Sequence, residues 1–180
     1  PKRKQRTTRD VSINIIFHFH FFSTTAKSPP TLDDIFTRPA EEFGNDPTVE
    51  ALWAIKAGEH AEVYFNILCA VDPKLLKLTP HDEIIYTSFR NEFPDMKVDI
   101  INENELKSPE QKEKWRPFCE NFKTVVENYS FGTLLRADCK EDYSESNSFI
   151  VPRIQFLAIE LARNKEGHND AIRTKFKASK

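Results

Sequence analysis

The sequence predicts an α+β fold, mostly α, with about four helices and a short two-stranded antiparallel β pair. Three observations lead there. Apolar residues recur at three- and four-residue steps over most of the chain, only two short stretches read as strands, and proline-bearing caps punctuate the helical segments. The 180 residues include 15 Phe, 4 Tyr and 2 Trp, which is ample material for one core and too aromatic for general disorder. Mean hydropathy is -0.56.

The elements follow in order. Asp46 caps a first helix whose first helical position is Pro47, where a missing N–H costs nothing. Its expected inner stripe is Val49, Trp53, His60, Tyr64, Ile67 and Val71, with Leu52, Val63 and Leu68, and Asp72-Pro73 ends it. Thr79-Pro80, with Asp82 at the capping-box position, opens a second helix with Ile85, Phe89 and Phe93 on its face and Pro94 as its stop. Residues 96–100 alternate with period two and predict a half-buried strand.

Ser108-Pro109-x-Gln111 starts a third helix carrying Trp115, Phe118, Phe122, Val125 and Tyr129. Pro117 inside it predicts a kink near residues 114–116. After Gly132, residues 133–139 predict the second strand, ended by a polar loop over 140–147. The last helix is expected over 149–164, with Ile150, Ile154, Leu157 and Leu161 inward and Gly167 as its C′ residue. The two strands are expected to pair, since an isolated strand leaves its backbone groups unsatisfied.

The N-terminal part differs in kind. Residues 1–30 carry a net charge of +5, leaving -7 for residues 31–180. The start, Pro1-Lys2-Arg3-Lys4-Gln5-Arg6, is like a nuclear-import run, and residues 11–22 form an apolar stretch too short to span a bilayer, which needs about 20 residues. With the small residues after it, that stretch faintly imitates a signal or transit peptide. His18-x-His20 puts two imidazoles on one strand face, but no other ligand is near in sequence. Without an initiator Met, the sequence reads as starting inside a longer product. The expected organisation is a disordered extension over 1–40, one globular domain over 41–175 and a tail over 176–180.

Several chemistries lack their residues. Cys69, Cys119 and Cys139 are widely spaced with no CxxC pair, which argues against a disulfide framework or structural zinc and for a reducing compartment. The scattered glycines build neither GxGxxG nor GxxxxGK[ST]. His60 in Glu59-His60-Ala61-Glu62 lacks the second His of HExxH, and its place on the apolar stripe predicts a hydrogen-bonded core histidine. No catalytic, metal or cofactor residue is assigned. The acidic body is a poor match for nucleic acid. Two features remain for binding a protein partner: the turn Gly44, Asn45 and Asp46, and the cations Arg116, Arg136 and Arg153 near Trp115, Phe118 and Phe131. The ordinary alternative for those cations is a solvated helix face and a strand Arg paired with a neighbouring Asp.

The runs FGNDPTVEALWAIKAGEHAEVYFNIL, VDPKLLKLT, IYTSFRNEF, KEKWRPFC, YSFGTLLRADC and PRIQFLAIELARN resemble the eukaryotic polysaccharide-biosynthesis-domain-containing protein family, over about residues 41–173. The resemblance implies a small, monomeric, cytoplasmic protein, with the basic N-terminal run allowing a nuclear location as well. It also implies a function: fungal and animal members are understood as dedicated chaperones for newly made translation elongation factor 1-alpha, holding its GTP-binding domain and letting go when GTP binds. Plant proteins sharing the domain include methyltransferases, so an enzyme of polysaccharide biosynthesis using S-adenosylmethionine is the alternative. Against it, such an enzyme needs a glycine-rich turn near its cofactor, and this chain has none. Residues 1–30 have no counterpart in the family, and the long charged tail of many relatives is not represented before Lys180.

Overall fold

The computed structural model describes residues 47–176. The extension expected over 1–40 and the turn Gly44, Asn45 and Asp46 lie outside the described residues, as do residues 177–180. The chain divides into two compact units, residues 1–60 and 61–180.

Six helices and one two-stranded sheet make up the described residues. The first helix, α1, covers Pro47–Ala70. In the first unit it buries Ala54 and Ala57 and exposes Ile55, with Lys56 and Glu59 paired one turn apart at 3.5 Å. In the second unit its buried residues are Ala61, Tyr64, Phe65 and Leu68, while Val63, Ile67 and Val71 are exposed. The expected stripe was therefore rotated: three small alanines and Phe65 take the inward places that were given to β-branched residues. His60, expected in the core, is exposed.

The second unit holds the main core. A 3-10 turn, Pro73–Leu75, is capped by Asp72, whose carboxylate accepts from the Lys74 N–H. Helix α2, Asp82–Glu92, buries Ile85 and Phe89 and is followed by buried Phe93, as its periodicity predicts. The Asp82 carboxylate reaches back to accept from the backbone N–H groups of Leu78 and Thr79, at 2.9 and 2.7 Å. A short helix α3, Glu103–Leu106, is capped by the Asn102 side chain. Helix α4, Pro109–Asn121, is capped by Ser108 and contains Pro117.

Helix α4 stops earlier than its apolar spacing suggests. Turns replace the helix from Phe122 to Ser130, with Asn128 among them at φ 53°. Val126, rather than Val125, is consequently buried.

The sheet also differs from expectation. Strand β1, Gly132–Arg136, pairs antiparallel with β2, Ser148–Pro152, in the register Gly132 to Pro152 through Arg136 to Ser148. Residues 96–100 contribute only one bridge, Ile100 to Asp138. The Arg163 guanidinium donates to the Val98 carbonyl at 2.6 Å. Residues 149–152, expected in the last helix, form β2 because Pro152 pushes Val151 to extended backbone and can itself only begin a helix.

Helix α5, Arg153–Lys165, then starts directly after Pro152 and is buried on all sides from Ile154 to Asn164. It packs against α2, α4, the 3-10 turn and both strands. Gly167 takes the positive φ (84°) expected of its C′ position. Helix α6, Asp170–Lys175, closes the described chain, and Phe176, expected to begin a tail, packs half-buried against the core. No helix among the described residues is long and apolar enough to cross a membrane.

Candidate functional site

Charged side chains occur in two settings in the second unit. The first lies around α5. Glu160, Arg136 and Arg163 are fully buried. One Glu160 oxygen accepts from Arg163 Nη1 at 2.7 Å. The other accepts from Tyr64 at 2.8 Å, Asn169 at 2.9 Å and Arg136 at 3.3 Å. Asn169 in turn accepts from Arg136 at 2.8 Å and donates to the Asn164 side-chain oxygen at 2.7 Å.

Two guanidiniums face one carboxylate, and backbone carbonyls absorb the excess positive charge. Arg136 donates to the carbonyls of Cys139 and Glu141, and Arg163 to those of Val98 and Ala137. The Arg136 guanidinium also lies 5.7 Å from the ring centres of Phe65 and Tyr143. Burial pushes the Glu160 pKa up, but the Arg136 and Arg163 charges outweigh it and hold the carboxyl down at about 2. Burial, and after it the Glu160 charge, raises the Tyr64 hydroxyl well above its ordinary value. The cluster is closed to solvent and occupied by its own members, so its chemistry is that of a structural lock.

The second setting is a groove of about 630 Å³ where α2 ends and α3 and α4 begin. Phe93, Ile101 and Leu106 form its buried apolar floor, and Ile100, 64% exposed, stands on its edge. Exposed Glu92, Asp95, Lys97, Glu105 and Lys114 carry its charge. The wall is fixed from behind. Arg90 donates to the carbonyls of Phe93 and Met96 at 3.3 and 2.8 Å, and is itself gripped by both Glu166 oxygens at 2.6 Å. Phe93 stacks on Trp115 with ring centres 4.3 Å apart, and Trp115 meets Phe118 edge-on at 5.3 Å.

The partner-facing residues expected from sequence are thus dispersed. Trp115 is 4% exposed and Arg136 has no exposed surface, so neither offers a side chain to a partner in this conformation. Arg136 pairs with Glu160, twenty-four positions away, rather than with a neighbouring Asp. Arg116 is exposed on α4, and Arg153 is half-buried at the start of α5. The groove was missed because its residues come from three elements; the signal available was Phe93-Pro94 followed by alternation at 96–100. Cys119 is half-buried, and burial, with Glu120 adding to it, pushes its thiol up to about 11, well away from a nucleophile's range. No group of His, Cys, Asp and Glu able to hold a metal ion occurs among the described residues, and the His18-x-His20 pair lies outside them.

Comparison with known proteins adds relatives. The family described as PBDC1 protein matches residues 49–174. Protein PBDC1 of Mus musculus is 53% identical over 136 residues, covering 76% of this chain and 69% of the mouse protein. Protein PBDC1 of Homo sapiens is 52% identical over 134 residues, and there the chain spans 58% of the relative's length. A solution NMR structure of a Saccharomyces cerevisiae protein, 42% identical, superposes with a TM-score of 0.70 over 77% of this chain and 97% of that one.

Proposed function

The chain belongs to the PBDC1 protein family, and from that premise we propose that it is a non-enzymatic chaperone or adaptor whose client is newly made translation elongation factor 1-alpha. It holds the client's GTP-binding domain in the cytoplasm and releases it when GTP binds. The observation that carries the protein-binding part of this reading is the contrast between the two charged settings. Buried charges are consumed internally, whereas the groove offers exposed charges and an apolar floor on a wall that is already built. Preorganised surfaces of this kind suit recognition, because little ordering is left to be done on binding.

The client's identity comes from the family resemblance, and electrostatics is compatible with it. A body of net charge -7 over residues 31–180 speeds encounter with a basic protein. Release on GTP requires that the GTP-bound client bind more weakly than the nucleotide-free one; nothing else can shift that equilibrium. Of the expected cations, exposed Arg116 and half-buried Arg153 keep surface accessible to a client, and the turn Gly44, Asn45 and Asp46, outside the described residues, is proposed from sequence alone.

A pull-down of the client's GTP-binding domain, with and without GTP, tests this. Retention that drops on adding GTP, and weakens in Arg116→Glu and Arg153→Glu, is the expected result. Retention indifferent to nucleotide would remove the release step, and no retention would remove the client. Arg136→Glu is unsuitable here, since it places a second carboxylate against Glu160 inside the core.

A further inference from the structure

We infer that the groove at the end of α2 is the seat of an extended partner segment that pairs an aliphatic side chain with a lysine or arginine, an inference resting on the reading of the chain as a partner-binding protein. Shape supplies the first half. Phe93, Ile101 and Leu106 are buried beneath an opening of about 630 Å³, and Ile100 projects beside them with 64% of its surface exposed. Ile100 next to this apolar floor gives an aliphatic partner side chain apolar surface to bury.

Charge supplies the second half. Three carboxylates, Glu92, Asp95 and Glu105, and two ammonium groups, Lys97 and Lys114, line the groove. All five residues are exposed, and within this set the negative charges are in excess. An aliphatic-cationic segment therefore meets complementary charge, while an acidic one is repelled.

Rigidity makes the two halves act together. Arg90 bonds the Phe93 and Met96 carbonyls, and the Asn102 side chain accepts from the N–H groups of Asn104 and Glu105. The floor and the carboxylates are thus held in register from both ends of the 93–102 segment. Pairing of Asp99 and Ile101 with Cys139 and Ala137 fixes its middle.

The test is an NMR titration of the full, isotope-labelled chain with a blocked octapeptide alternating leucine and arginine. The control is the same peptide with glutamate for arginine. Shifts confined to residues 92–106 and 111–114 are expected with the arginine peptide, and binding about tenfold weaker with the glutamate peptide or with Asp95→Lys/Glu105→Lys. Both substituted positions are exposed, so the double variant keeps its fold. Equal affinity for both peptides, no effect of the double variant, or shifts centred on Val63, Ile67 and Val71 instead would each overturn the inference. The pull-down separates the two proposals. If the client is retained equally by wild type and the double variant, and the arginine peptide does not bind, the groove inference falls and the client stands. If the peptide binds and the client is not retained, the client falls and the groove stands.

Discussion

The cluster around Glu160 and the rim of the groove use the same residue types to opposite ends. In the cluster, Arg136, Arg163 and Glu160 are without solvent, and the carboxylate accepts from Tyr64, Asn169, Arg136 and Arg163 of the protein itself. On the rim, Glu92, Asp95, Glu105, Lys97 and Lys114 stay in water. Desolvation is the difference. A charge already stripped of water must be matched inside the fold, and removing its partner is severe. A hydrated charge costs the fold little and remains available to a second molecule. The core charges therefore specify where strands, turn and α5 meet, and the rim charges specify what may approach.

The largest test of this contrast is Glu160→Ala. It leaves two buried guanidiniums facing each other without a counter-charge, and a loss of about 3–5 kcal/mol in chemical denaturation is expected, enough to prevent folding of a marginal domain. A loss below about 1 kcal/mol would mean that water reaches the cluster.

Acid should act through the same residue. Glu160 has a folded pKa of about 2 against an ordinary value of 4.5. A depressed carboxyl pKa contributes stability that is fully present above its unfolded value and is lost as pH falls through the folded one. Melting temperature should accordingly decline between pH 4.5 and pH 2, and a curve flat across that window would contradict the buried ion pairs.

A smaller effect is expected at Gly167, whose turn carries Asn169 into the cluster. At φ 84°, an added Cβ would also sit 3.0 Å from an Asp170 carboxylate oxygen. Gly167→Ala should cost about 1 kcal/mol, readable in the same denaturation series.

The smallest effect belongs to the rim. Glu92→Gln with Lys97→Gln should change stability by less than about 0.5 kcal/mol. A shift as large as that of Glu160→Ala would erase the distinction between the two regions.

Local signals were legible wherever one element carries its own instructions. Asp82 accepts from the Thr79 N–H as its capping-box position predicts, Ser108 caps its helix, Ile85, Phe89 and Phe93 face inward, and Gly167 takes a positive φ, all as short-range chemistry requires. Pro152 was equally legible as a helix start, and the helical spacing of Ile150, Ile154, Leu157 and Leu161 masked it. The candidate site was much less visible. Its floor joins Leu106 of α3 to Phe93 and Ile101 of the segment that follows α2, and its wall depends on Arg90 meeting Glu166, 76 positions later.

By itself, then, the sequence determined the mostly helical α+β class, the positions of most helices, and through its family resemblance the kind of function to look for. Tertiary structure decided which segment pairs with β1, that α1 buries Ala54, Ala57 and Ala61, and that Arg136 is a core residue. The physical reason is the same in each case. Caps, turns and periodicity act over a few residues and are written there, whereas strand partnership and the neutralisation of a buried charge depend on which distant groups arrive at the same place. Residues 96–100 and 148–152 both have extended character, yet the ladder on β1 is formed by 148–152 and the other segment contributes only the bridge of Ile100 to Asp138.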